Sequence, residues 1–280
     1  MADFTFRQAD VFAGGPFLGN PVAVVVGADA LDSAQMAAIA NWTNLSETTF
    51  LLRPTAPEAD YRVRIFTPQV ELPFAGHPTL GSAHVWRACG GVPKGDAILQ
   101  ECDAGLIAVR EAGEQFAFAA PPLRRTGPAD PDTLARAAAA LRLSPAAVLR
   151  AEWVDNGPGW LALLLGSRAE VLAIRPDYAA LGDLRLGVVG PWDPSRDGDE
   201  AQFELRALLA DGSGWEDPVT GSLNAGVAQW LIGAGLAPQH YLASQGTVLG
   251  RRGRISVEQS GDDIWVGGKV VTRIAGNLSV

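Results

Sequence analysis

The sequence SLNAGVAQWLIGAG, at residues 222–235, is small and apolar on nearly every side and has no clean polar face. A helix at a protein surface keeps one polar face, so a helix that is apolar all round must be enclosed by protein. The stretch LGSAHVWRA, at residues 80–88, has the same property in the first half of the chain. We therefore expect two short helices, each enclosed by a curved sheet, with their N-termini pointing at one place.

Strand-like segments surround both of these stretches. Residues Tyr61, Val63 and Ile65 alternate with arginines in YRVRIFT, as the residues of a half-buried strand do. Many strands with few helices between them occur in both halves, which predicts an α+β protein built twice. The proline-rich segment at 121–132 is the best linker, because it has no apolar period. We predict domains at 1–120 and 130–280, with the last strand free to return to the first domain.

A weak internal repeat supports the duplication. Superposing His77-Pro78 on Asp217-Pro218 places Gly81-Ser82 on Gly221-Ser222. An Asp-Pro pair is typical of an N-cap followed by the first helical residue, so capping is the default role of Asp217. The Gly-Ser pairs would then follow one turn later, where free N–H groups and the helix dipole favour an anion. Two such helix starts predict a site for a small carboxylate.

Composition excludes several classes of function. The 280-residue chain carries a formal net charge of −9, which argues against a nucleic-acid partner because such binding depends on many Lys and Arg side chains. No apolar run approaches the roughly 18 residues of a membrane span, and the N-terminal segment does not resemble a secretory signal. Cys89 and Cys102 do not make a disulfide framework, and three scattered histidines do not make a metal site. We expect a soluble, cytoplasmic protein.

Two titratable residues lie where their surroundings are apolar or rich in glycine. Glu47 stands between a helix and a strand in NWTNLSETTF, where desolvation would suit it to acid/base work near neutral pH. A turn cap or a surface ion pair is the ordinary alternative for this glutamate. His77 precedes Pro78 at a predicted helix start, where a neutral imidazole could polarise or deprotonate a substrate or simply bond to nearby backbone. We interpret His84 and His240 as structural.

Five blocks of sequence resemble the successive signature blocks of the PhzF (phenazine-biosynthesis-like) family. They are DVFAGGPFLGNPVAVV, NLSETTF, RIFTPQVELPFAGHPTLGSA, EDPVTGS and ASQGTVLGRRGRI, and they run in order from Asp10 toward the C-terminus. The resemblance implies a diaminopimelate-epimerase-like α+β fold. In that fold two similar domains each wrap a barrel-like mixed β-sheet around a central helix, and the active site lies in the inter-domain cleft. Members of the family are typically homodimers.

The resemblance also implies an activity. The best-understood member isomerises trans-2,3-dihydro-3-hydroxyanthranilic acid by moving a proton, with no metal or organic cofactor. By motif, three residues are implied to be catalytic. Glu47 is the acid/base that shuttles the proton, and His77 and Asp217 bind and orient the substrate and are candidates to assist proton movement. The positions that the resemblance implies for substrate binding are Asn20, Gly76, Gly221 and Ser222.

The sequence departs from the epimerase relatives at one point. Those enzymes place one cysteine at each helix start, whereas this chain has Gly76-His77 and Thr220-Gly221 there. A two-thiol racemisation is therefore excluded, and one carboxylate must both remove and return the proton. The leading hypothesis is a cofactor-independent isomerase that acts on a small cyclic or amino-substituted carboxylic acid. Two alternatives stay open, namely a non-catalytic binder of small acids on the same scaffold and a hydrolase or lyase that uses Glu47 as a base.

Overall fold

The computed structural model describes residues 2–210 and 214–280 of the chain. The chain forms two compact units. The first unit comprises Met1–Ala119 and Gly267–Val280, and the second comprises Ala120–Val266. The last strand of the chain therefore begins in the second unit and ends in the first.

The first unit is a closed barrel of eight strands around one helix. Its elements in chain order are β1 (Asp3–Val11), β2 (Asn20–Val26), α1 (Ser33–Thr43), β3 (Glu47–Leu52), β4 (Tyr61–Phe66), β5 (Glu71–Leu72), α2 (Gly76–Ala88), β6 (Ile98–Cys102), β7 (Gly105–Ala112), β8 (Gln115–Ala119) and the end of β16 (Asp263–Ser279). The strand order is β1-β2-β3-β4-β6-β7-β8-β16, and pairing of β1 with β16 closes the barrel. The sheet is mixed because the pairs β2–β3 and β4–β6 are parallel.

Helix α2 is enclosed by this barrel, as its apolar sequence predicts. It packs against β1, β2, β3, β6 and β8, and nine of its thirteen residues are buried. Gly81 explains how closely the helix lies on the sheet, because a Cβ atom at this position would lie 2.3 Å from Cγ1 of Val22. A larger residue at this point would push the helix away from β2.

The second unit has a similar order of strands. Its elements are α3 (Pro131–Ala140), β9 (Arg150–Trp153), β10 (Trp160–Leu164), α4 (Arg168–Ala173), α5 (Tyr178–Leu181), β11 (Arg185–Pro191), α6 (Pro194–Asp197), β12 (Phe203–Leu209), β13 (Trp215–Asp217), α7 (Gly221–Gly233), β14 (His240–Gln245), β15 (Gly253–Ser260) and the start of β16. The strand order is β9-β10-β11-β12-β14-β15-β16, with β13 paired to β12. The pairs β10–β11 and β12–β14 are parallel, at the same places in the order as the parallel pairs of the first unit.

Helices α2 and α7 are the matching parts of the duplication. Each has thirteen residues, and Gly226 occupies the same place in α7 that Gly81 occupies in α2. A Cβ atom at Gly226 would lie 2.3 Å from the backbone oxygen of Val154, so here too only glycine permits the close approach. These features confirm the predicted α+β fold, in which each similar half wraps a sheet around a central helix.

The predicted register of the repeat is wrong. Helix α7 begins at Gly221 with Thr220 as its N-cap, whereas Asp217 is the last residue of β13 and pairs with Ala207. The Asp-Pro sequence resembles a helix cap, but strand pairing with β12 holds the aspartate in extended backbone. Gly221 and Ser222 are thus the first two helical residues, and His77 corresponds to Ser222. The Gly81-Ser82 pair lies inside α2 and not at its N-terminus.

Two sequences typical of helix starts form different structures. Asp32 and Gln35 form a capping box at the start of α1. The Ser-Pro sequence at 144–145 is followed by only the 3-10 turn Pro145–Ala147, because the chain enters β9 at Arg150. Across residues 2–210 and 214–280, no helix is both long enough and apolar enough to cross a membrane.

Candidate active site

Two of the predicted residues meet in the first unit. Glu47 begins β3, where it pairs with Val22 of the parallel strand β2, and His77 is the second residue of the enclosed helix α2. Nε2 of His77 lies 3.2 Å from Oε2 of Glu47, and the two side chains are 4% and 13% exposed. Glu47 is thus a largely buried carboxyl group at a strand start, and not a surface cap.

The His77 ring is neutral at physiological pH. Burial lowers the pKa of His77 to about 3, and the hydrogen bond from the ring to the backbone of Pro21 raises it by less. The contact with Glu47 is therefore one between a carboxyl group and a neutral imidazole ring. Nδ1 of the ring lies 3.4 Å from Nδ2 of Asn20, which is fully buried at the start of β2. The structure thus groups Asn20 with His77 and Glu47.

The N-termini of α2 and α7 differ from those of the other helices. Their N-cap residues, Ala75 and Thr220, make no capping hydrogen bond with a side chain. The other five α-helices within the described residues are capped by Asp32, Asp130, Ser167, Asp177 and Asp193. The N–H groups of a first helical turn need partners, and an anion is a suitable one. Gly76 in α2 and Gly221 with Ser222 in α7 begin these two uncapped turns.

Asp217 lies in the second unit, in a turn that is held by a buried amide. Thr220 donates its hydroxyl hydrogen to Oδ2 of Asp217 at 2.5 Å. Gln245, which is fully buried at the end of β14, donates from Nε2 to the carbonyl oxygen of Asp217 at 3.0 Å and to Oγ1 of Thr220 at 3.0 Å. Its Oε1 accepts from the backbone N–H of Thr220 at 3.1 Å and from Asn224 at 2.8 Å.

Gln245 thus uses both amide hydrogens and accepts two hydrogen bonds, and it fixes the turn between Asp217 and α7. The backbone partners set its orientation, because an N–H must meet Oε1 and a carbonyl must meet Nε2. Sequence reasoning gave this residue no role. It stands in the block ASQGTVLGRRGRI, but only the parallel pairing of β14 with β12 brings it below α7.

Ser222 is held by two residues that the sequence analysis did not single out. Nε1 of Trp160, the first residue of β10, lies 3.0 Å from Oγ of Ser222. Nδ2 of Asn156 lies 2.8 Å from the carbonyl oxygen of Ser222. The turn sequence DNGPGW carries both residues, but no periodicity indicates that they face α7.

Glu216, a neighbour of Asp217, has a structural role. Its carboxylate forms two hydrogen bonds with Arg206 on β12, at 3.0 and 2.7 Å, and both side chains are buried. Arg206 also donates to the carbonyl oxygens of Val171 and Ile174. This buried ion pair ties β13 to β12 and so supports the position of Asp217.

No thiol stands at either helix start. Cys89 is exposed just beyond the end of α2, and Cys102 is buried at the end of β6. His84 contacts Oγ1 of Thr272 at 3.0 Å inside the first unit. In the part of the chain that the structure describes, no group of three or more His, Cys, Asp or Glu residues is placed to hold a metal ion.

Comparison with known proteins identifies the family. The profile of the PhzC-PhzF family, described as phenazine biosynthesis-like protein, matches residues 9–276. The chain is 35% identical to antisense-enhancing sequence 1 of Schizosaccharomyces pombe over 99% of both proteins. It is 38% identical to trans-2,3-dihydro-3-hydroxyanthranilate isomerase of Pseudomonas aeruginosa over 62% of both.

A solved structure and further relatives agree with this assignment. The crystal structure of a PhzF-family phenazine biosynthesis protein from Enterococcus faecalis matches with a TM-score of 0.82 and 27% identity, over the whole of both chains. Further bacterial relatives that match almost the full chain are described as uncharacterised isomerases. The chain therefore belongs to the PhzF, or phenazine biosynthesis-like, family, and it is an isomerase.

Proposed function

We propose that this isomerase moves a proton within a small cyclic or amino-substituted carboxylic acid, that Glu47 carries the proton, and that no cofactor takes part. One observation carries the proposal, namely the 3.2 Å contact of Glu47 with the neutral ring of His77 beside the uncapped start of α2. A largely buried carboxyl group next to a neutral ring suits an acid/base that must change its protonation state twice in each turnover.

In the first step, Glu47 removes a proton from a carbon atom next to the carboxyl or conjugated group of the substrate. The C–H bond breaks, its electron pair delocalises into the conjugated system, and the proton bonds to the Glu47 carboxylate. The neutral His77 ring lies against Oε2 of Glu47 at 3.2 Å. We propose that Oε1 is the oxygen atom that takes up and returns the proton.

The anion that forms needs hydrogen-bond donors aimed at its negative charge. The uncapped first turn of α2, in the same unit as Glu47, offers backbone N–H groups and the positive end of a helix dipole. We propose that Gly76 contributes there and, from the family resemblance, that Gly221 and Ser222 at the start of α7 hold the substrate carboxylate. That Asp217 orients the same substrate is a prediction from the family resemblance.

In the last step, Glu47 returns the proton to a different carbon atom. The O–H bond breaks, a new C–H bond forms, and the electron pairs of the substrate shift back to give the isomer. One carboxyl group reaches one face of the substrate, so a shift of hydrogen fits this arrangement better than inversion of a stereocentre. The absence of cysteine at both helix starts agrees with that choice.

The relatives suggest which compound to test first. The Pseudomonas aeruginosa relative is named for trans-2,3-dihydro-3-hydroxyanthranilate, a cyclic amino acid with a carboxylate next to a conjugated system. We propose this compound, or another small acid of the same chemical class, as the substrate. A homodimer and a cytoplasmic location are further predictions from the sequence, to be tested by light scattering and by cell fractionation.

The test compares the wild type with Glu47→Gln and with Glu71→Gln as a matched control. Glu71 is a half-exposed carboxylate of the same unit that pairs with Arg64. Turnover of trans-2,3-dihydro-3-hydroxyanthranilate and of a panel of small amino and hydroxy acids is followed by NMR. Glu47→Gln is expected to lose about 10²–10⁴-fold in rate, and Glu71→Gln is expected to retain the rate.

Three outcomes would contradict the proposal. Turnover that survives Glu47→Gln unchanged would remove Glu47 from its role. Acids that raise the melting temperature but are never converted would favour a non-catalytic binder. A cleaved product would indicate a hydrolase or lyase that uses the same glutamate.

A further inference from the structure

The hydroxyl group of Ser222 has a defined hydrogen-bonding direction. Trp160 is 2% exposed, and its indole Nε1 lies 3.0 Å from Oγ of Ser222. An indole N–H can only donate a hydrogen bond, so the serine oxygen must accept it. The one hydrogen atom of the hydroxyl group must then point away from Trp160.

That hydrogen atom lies at an uncapped helix start. Ser222 is the second residue of α7, next to the N–H groups of the first turn. Within the described residues, Trp160 is the hydrogen-bond partner of its side-chain oxygen. The hydroxyl hydrogen and the N–H groups all present positive charge, and a carboxylate oxygen is the group that would accept from them together.

Asn156 fixes the same residue through its backbone. The Nδ2 atom of Asn156 donates to the carbonyl oxygen of Ser222 at 2.8 Å, and this carbonyl partner sets the orientation of the amide. Asn156 is 6% exposed. The start of β10 and the connection that precedes it therefore hold Ser222 at two points, Trp160 on the side chain and Asn156 on the main chain.

We propose that Trp160 and Asn156 are positioning residues that hold Ser222 as a hydrogen-bond donor to the substrate carboxylate. They set the affinity for the acid and leave the rate of proton movement nearly unchanged. This inference rests on the proposed function, because it assumes that the acid binds at the start of α7. Beyond that function, the inference identifies Trp160 and Asn156 as the residues that orient the Ser222 hydroxyl group as a hydrogen-bond donor.

The experiment is a double-mutant cycle between Trp160→Phe and Ser222→Ala. Phenylalanine keeps a buried ring but has no N–H group, and Trp153→Phe is the matched control because Trp153 packs against Arg125. The dissociation constant of anthranilate and of a panel of small acids is measured by calorimetry, and KM and kcat are measured with trans-2,3-dihydro-3-hydroxyanthranilate. Asn156→Asp, which replaces the donor Nδ2 by an oxygen, is a second variant in case Trp160→Phe does not fold.

We expect Trp160→Phe to weaken binding about 5- to 10-fold, as the loss of one hydrogen bond does. In the Ser222→Ala background the same change should cost less than about twofold, because its partner is gone. KM should rise while kcat changes little, and Trp153→Phe should bind like the wild type.

Independent, additive losses from Trp160→Phe and Ser222→Ala would overturn the inference, and so would an equal loss in Trp153→Phe. A wild type that binds none of the acids would overturn it as well. A wild type that binds an acid but never converts it would contradict only the proposed isomerisation, so the two failures are distinguishable.

Discussion

Lowering the pH tests the environment of His77, because this ring is neutral in the folded protein well below its ordinary pKa. Burial lowers its pKa to about 3, whereas in the unfolded chain it returns to about 6.5. Between these values the unfolded chain binds the proton and the folded protein does not. The contribution of His77 to the free energy of unfolding is therefore fully present above about pH 6.5. It falls by about 1.4 kcal/mol for each pH unit below that value.

The expected loss is large enough to measure. From pH 6.5 to pH 5 the His77 contribution to the free energy of unfolding falls by about 2 kcal/mol. Urea unfolding of the wild type and of His77→Gln at pH 7.5 and pH 5 isolates this contribution, because the other titratable groups are the same in both proteins. The wild type should lose about 2 kcal/mol more than the variant.

Two results would refute this reasoning. An equal loss of stability in the wild type and in His77→Gln would mean that the ring is not buried in its neutral form. NMR detection of a ring that titrates near pH 6.5 in the folded protein would mean the same. Either result would also remove the neutral partner that the mechanism assigns to Glu47.

Two further predictions concern the second unit. Gln245→Glu replaces an amide that donates to Asp217 and Thr220 by a carboxylate, which cannot donate, so we expect a loss of about 2–4 kcal/mol in the free energy of unfolding. The control Thr220→Ser keeps the hydroxyl group and should lose under about 1 kcal/mol. Equal losses in the two variants would contradict this prediction. Gly226→Ala places a methyl group 2.3 Å from a backbone oxygen, so the free energy of unfolding measured in urea should fall by about 1–3 kcal/mol. The control Gly233→Ala adds a methyl group where there is open space and should leave the free energy of unfolding nearly unchanged.

The sequence was informative about the fold because its strongest signals are local. A helix such as α7, without a polar face, can only be enclosed, and the alternation in β4 marks a half-buried strand. The capping box of α1 was predictable from two residues, Asp32 and Gln35. These patterns depend on neighbours along the chain, and they predicted a duplicated α+β architecture.

The candidate site was less predictable because its contacts join residues that are far apart in the chain. No local pattern indicates that Glu47 meets His77, and the resemblance to the family supplied both residues. The Asp-Pro pair at 217–218 led to a wrong N-cap, because pairing with β12 overrides a short capping signal. Gln245 and Trp160 were missed, since only the parallel strand pairs set the residues that face α7.

Exchange of hydrogen with heavy water tests most directly whether Glu47 carries the proton. Trans-2,3-dihydro-3-hydroxyanthranilate is incubated in D2O with the wild type or with Glu47→Gln, and deuterium in the substrate and product is measured by NMR and mass spectrometry. We expect the wild type to convert the compound with deuterium entering only at the carbon that receives the proton, to the extent that the protonated Glu47 exchanges with solvent before it returns the proton. Glu47→Gln is expected to be inactive in both conversion and exchange. Exchange or conversion that continues at the wild-type rate in Glu47→Gln would contradict the account.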